Sequence, residues 1–190
     1  GGSDSGITPP REPLETDCSS TEGAANVSGQ IEGGPARMVS AAWYADGSDG
    51  GAWIVLSPST SACSLIEDFK SNTHELRAIS IKISDFSASH LAPVSVIAEP
   101  EITAGDGRPE AIVNGWEPLL NLAIIMEHGL LSVHSATLGD TIQVTGLDTW
   151  SEFGDAVSGD FTACWCPAAA DFLWPIIEDS SPPAPPPVSD

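Results

Sequence analysis

The residues most able to do chemistry sit in one loop, Asp46-Gly47-Ser48-Asp49-Gly50-Gly51, between Trp43 and Trp53. Two carboxylates on a glycine-bearing turn match part of what calcium requires, which is several oxygen ligands on a flexible loop. Glu67, Asp68 or Asp106 would complete the shell if folding brought them close. Tryptophan rings stack on the CH faces of sugars, so Trp43 and Trp53 beside an acidic loop suggest a calcium-assisted carbohydrate-binding module. The plainer readings are that Asp and Gly serve turn geometry and that the tryptophans pack in a core.

The four histidines, His74, His90, His128 and His134, are candidate bases or metal ligands. Glu127-His128 and His134 fall near one another if this stretch forms a strand or hairpin. No serine lies in a Gly-x-Ser-x-Gly elbow, and no His-Glu-x-x-His occurs. No histidine or methionine follows Cys166, as a blue-copper site would need. Acidic residues are so common that a glycosidase-like carboxylate pair would arise by accident. The expectation is therefore a protein that is not an enzyme, with a hydrolase on a jelly-roll scaffold as the weakest alternative.

Cys18, Cys63, Cys164 and Cys166 make an even count, which in a secreted protein predicts two disulfides. Cys164 and Cys166 are two apart, so on a strand they share a face and are badly placed to bond each other. The two pairings that join the early cysteines to the late ones are favoured. A zinc site would want C-x₂-C-type spacing with nearby histidine, and none follows here.

Charge narrows the function further. The chain has 27 acidic against 6 basic residues, a net charge of −21, and no lysine or arginine after Arg108. Such a protein repels phosphate backbones and anionic lipid headgroups, which excludes nucleic acid as a partner. The acidic residues are dispersed, as on a solvated surface, and not gathered into one tail. No apolar run is long enough for a transmembrane helix. The opening Gly1-Gly2-Ser3-Asp4-Ser5-Gly6 reads as a processed N-terminus without a signal peptide. Similar small polar residues follow the lipidated cysteine of bacterial lipoproteins. Asn26-Val27-Ser28 matches a glycosylation acceptor, meaningful only in a glycosylating host.

The elements that must position these residues read as strands. Ile79-Ser80-Ile81-Lys82-Ile83-Ser84 alternates cleanly. Arg37–Tyr44, Ala52–Leu56, Val94–Ala98, Ala111–Val113, Leu122–Met126, Leu130–Ser135, Thr141–Thr145 and Ala156–Cys166 read the same way. Turn signals at 46–51, Gly105-Asp106-Gly107, Asn114-Gly115 and Leu138-Gly139-Asp140 separate them. One helix is expected over Cys63–Asn72, capped by Ser64, with Leu65, Ile66 and Phe69 on one face. The predicted fold is an all-β, antiparallel β-sandwich or jelly-roll-like single domain with two disulfides. Residues 1–23 form an extended N-terminal arm, 24–178 the domain, and 179–190 a proline-rich tail. Phe172, Leu173, Trp174, Ile176 and Ile177 are apolar around Pro175, and are candidate subunit contacts.

The runs Gly129–Gly146 and Val157-Ser-Gly-Asp-Phe-Thr-Ala-Cys164 read as hairpins of glycine-punctuated strands closing on a cysteine. In this C-terminal part the chain resembles secreted β-sandwich lipoproteins of myxobacteria and their relatives. The resemblance implies a bacterial, secreted or surface-attached β domain and transfers no activity. The functional expectation is a non-catalytic extracellular structural protein. It would self-associate as a filament subunit or serve as a cell-surface component, with its terminal segments making the subunit contacts. The alternative is the glycan module, with calcium as its cofactor.

Overall fold

The computed structural model describes residues 23–46, 51–70, 77–89, 91, 93–98, 108–117 and 122–172. Strand dominates it and helix is scarce, so the all-β expectation holds. In chain order the elements are β1 (Ala24–Ile31), β2 (Gly34–Met38), β3 (Ser40–Asp46), β4 (Gly51–Ser57), α1 (Ala62–Lys70), β5 (Ala78–Ser84) and β6 (Pro93–Ile97). Then follow β7 (Glu110–Glu117), β8 (Leu122–Met126), β9 (His128–Ala136), β10 (Thr141–Trp150), β11 (Ala156–Trp165) and α2 (Ala169–Phe172).

The strands form one sheet that closes on itself, where the sequence had suggested two stacked sheets. The ring runs β3-β4-β5-β7-β6-β9-β10-β11 and returns to β3. Most joints are antiparallel, but β6–β7 and β11–β3 are parallel. Closure happens because β11 is long. Its first part pairs with β1, and its last residues, Cys164 and Trp165, lie against Ala42 and Trp43 of β3. The β1–β2 hairpin and β8 are additions to the ring, on β11 and β7.

An eight-stranded barrel is just wide enough for side chains to fill it, and this one is filled. Alternate residues of each ring strand point inward, among them Trp43, Ile54, Ile81, Leu131, Val144 and Phe161, all essentially inaccessible. Each large apolar side chain so buried contributes about 1.5–3 kcal/mol. A second apolar layer lies outside the barrel wall. There Leu65 and Ile66 of α1 and Ala169 of α2 cover Ala42, Val55, Ala78 and Cys166.

Several local expectations change for physical reasons. Asn114-Gly115 is no turn but the middle of β7. A Cβ on Gly115 would lie 2.9 Å from Cδ1 of Ile31, so the glycine makes room for a side chain of β1. The predicted strand Arg37–Tyr44 is split at Val39, whose N–H donates to Ser57 O at 2.8 Å and whose carbonyl accepts from Ala25 at 3.0 Å. The helix is capped one turn earlier than expected. Ser61 Oγ accepts from Ser64 N–H at 3.4 Å, which satisfies a first-turn donor.

One disulfide is described, Cys63–Cys166, with its Cα atoms 6.1 Å apart and a sequence separation of 103. It ties α1 to the end of β11 and joins an early cysteine to a late one, as the shared face of the late pair argued. Cys164 is also disulfide-bonded, while Cys18 lies outside the described residues.

Candidate functional site

Trp43 and Trp53, the sugar candidates, do not share a face, and most of the calcium candidates lie outside the described residues. Asp46 ends β3 and lines a shallow cleft of about 260 Å³ with Ala45, Phe86, Ser87, Ser89 and Leu138. Asp49 and Asp106, and the side chains of Glu67 and Asp68, lie outside the described residues. Trp43 has 0% exposure and donates its indole N–H to Asp140 O at 3.2 Å. It packs edge-on against Trp165 and Phe86. Trp43 is therefore no stacking platform. Trp53 pairs with Tyr44 across β3–β4, whereas Trp43 pairs with Ile54. The two tryptophans thus face opposite sides of the wall. Trp53 is half-buried on the outside, its ring 6.0 Å from that of Tyr44.

His74 and His90 lie outside the described residues, as do Leu173, Trp174, Ile176 and Ile177 and the side chain of Phe172. His128 and His134 are both exposed on the outer face of β9, but six residues of strand separate them by roughly 20 Å. They do not form one site.

A different group does converge at the end of the barrel where β9 begins and β10 finishes. Ligand atoms of Glu127, His128 and Glu152 all lie within 4.8 Å of one another. The Glu127 carboxylate accepts from Glu152 N–H at 3.0 Å. His128 pairs with Trp150 across the β9–β10 ladder, and their rings are 5.9 Å apart. Two residue pairs further along, Leu130 faces Asp148 on the same outer surface. An imidazole and two carboxylates are donors that borderline divalent metals accept. With an exposed indole beside them, they are equally a binding surface for a cation carried on a larger partner.

The turn that carries Glu152 is tightly built. Ser151 and Asp155 are buried at its base, and Ser151 Oγ donates to Asp155 Oδ2 at 2.9 Å. The same Ser151 oxygen accepts from the N–H groups of Phe153 and Asp155, each at 3.2 Å. Asp155 Oδ1 in turn accepts from Glu32 N–H at 2.6 Å, which fastens this turn to the β1–β2 turn. Phe153 stands at the tip, 88% exposed.

Sequence reasoning missed Glu152 and Phe153 and did not place Trp150 opposite His128. A signal existed: a hairpin turning at Leu138-Gly139-Asp140 places His128 opposite Trp150 by counting residues outward.

No family model, curated protein or solved structure matches this chain.

Proposed function

We propose that the protein is a non-catalytic extracellular structural component that self-associates by strand addition. The observation that carries this reading is the apolar edge of β8, a strand added to a closed, filled barrel; β2, the other added edge strand among the described residues, carries Pro35 and Arg37. Among the described residues β8 pairs with β7 alone. Its sequence Leu122-Ala-Ile-Ile-Met126 has no charge, and Ile125 is 42% exposed. Unpaired backbone N–H and C=O groups on a short apolar edge are a template for another strand. The disulfide supports export, since such bonds persist in oxidising compartments. Phe172, Leu173, Trp174, Ile176 and Ile177 are the proposed subunit contacts, and they supply apolar side chains around Pro175.

The test is Ile125→Lys, which puts a charge on the exposed edge without touching the core. By negative-stain microscopy the native protein forms extended assemblies and the variant forms single particles. Single particles for both sink the reading.

A second reading, the glycan module, rests on the half-buried Tyr44–Trp53 pair beside Asp46. Calorimetry with calcium and a glycan panel decides it, and absence of heat in both titrations removes it.

A further inference from the structure

The filled barrel directs attention to its outer surface, and one part of that surface combines exposed apolar side chains with carboxylates. At the end of the β9–β10 ladder, Trp150 is 45% exposed, Leu130 53% and Phe153 88%. Scattered single exposed hydrophobics are ordinary. Here, however, Trp150 and Leu130 stand on the same outer face in neighbouring rows of one ladder. Phe153 follows in the turn that continues from Trp150. Glu127, Asp148 and Glu152 surround them: Asp148 faces Leu130, and Glu152 N–H is held by Glu127.

We propose that this end of the barrel is a recognition face for a basic polypeptide segment. Such a segment would set an arginine or lysine over Trp150 between the carboxylates, and an apolar residue against Phe153 and Leu130.

Charge complementarity selects this occupant. A second copy of the chain would bring another −21 to an already acidic face, and nucleic acid or anionic lipid would be repelled in the same way. A cation over an indole face is attracted by the ring, and carboxylates at its rim strengthen and orient that contact. The face is also prepared in advance. Exposed loop tips are commonly mobile, but this one is anchored by the four hydrogen bonds of Ser151 and Asp155 described above. Holding Phe153 in place before contact removes much of the ordering cost of binding. Glu127 directly follows β8 and its N–H donates to Trp150 O at 3.0 Å, so the two surfaces adjoin. The recognition face rests on the side chains of the β9–β10 ladder and its turn, and stands whether or not the protein self-associates.

The experiment is an NMR titration of the full chain with a blocked Arg-Leu repeat peptide. Control titrations use a Glu-Leu peptide, a neutral oligosaccharide and zinc chloride. Expected are shifts confined to the Trp150 indole N–H and the amides of 127–130 and 148–155, produced by the basic peptide and weakened by salt. Trp150→Ala combined with Phe153→Ser should weaken that binding about tenfold, as loss of an aromatic anchor does. Asp140→Asn, which removes one charge at the opposite end of β10, should leave it unchanged. Amide spectra of each variant establish that the barrel is intact. Three results overturn the proposal: peptide shifts spread over the whole acidic surface, equal loss in Asp140→Asn, or no loss in the aromatic double variant. Saturable zinc shifts at His128 without peptide binding would instead make this a metal site.

Discussion

Asp155 holds together two turns that are 123 residues apart in sequence, and its replacement is the most informative single perturbation of this fold. In Asp155→Ala the buried Ser151 hydroxyl loses the acceptor it reaches at 2.9 Å. An unsatisfied buried hydroxyl costs about 1–3 kcal/mol. Glu32 N–H also loses its partner, but Glu32 is exposed and water can replace the carboxylate, so this loss is worth only about 1 kcal/mol. Glu32 has φ 48°, a left-handed conformation that costs a side-chain-bearing residue about 1–2 kcal/mol. The bond to Asp155 helps to hold it there. The expected total is about 2–4 kcal/mol of lost stability, read from urea unfolding followed by tryptophan fluorescence with an unchanged slope. Asp155→Asn, which keeps one acceptor oxygen, should lose less. A loss below about 0.5 kcal/mol, the usual range of an unremarkable surface change, would refute the idea that this carboxylate fastens the two turns.

Other outcomes follow from the same geometry. Glu32→Gly should stabilise the protein by up to about 1 kcal/mol, because glycine accepts the positive φ that glutamate resists; chemical denaturation checks it. Gly115→Ala should cost about 1–3 kcal/mol by pressing a methyl group onto Ile31, and adding Ile31→Val should recover part of that loss in a double-mutant cycle. Phe161→Ala should cost about 3–5 kcal/mol, since it empties a wholly buried site where β11 meets the barrel interior; calorimetric melting reports it. Reduction of the native protein should lower the melting temperature, because Cys63–Cys166 closes a long loop, and Cys63→Ser without reductant should melt below the native protein.

Periodicity revealed most of the strands because an inward face must be apolar. Ile79, Ile81 and Ile83 declared β5, and all three are in the core. Barrel closure was not legible, since it depends on the parallel contact of Trp165 with Trp43, more than a hundred residues earlier in the chain. Local turn rules misread Asn114-Gly115, where a packing demand from Ile31 outweighs a strong turn signature. The Trp43–Trp53 pairing failed on parity. With Asp46 opposite Gly51, Trp43 must face Ile54, and the two indoles then lie on opposite sides of the wall. The Glu127, His128 and Glu152 group joins residues from two turns, so spacing within one segment could not show it. The charge imbalance was legible in full, but its concentration around an exposed aromatic turn needed the β9–β10 register.

Self-association of an acidic barrel through an apolar strand edge is read out by sedimentation velocity across a salt series. Screening weakens the repulsion between acidic surfaces while leaving apolar strand pairing intact. The native protein should therefore shift from monomer toward larger species as salt rises, and Ile125→Lys should stay monomeric throughout. A native protein that sediments as a single monomer at every salt concentration does not self-associate through this edge.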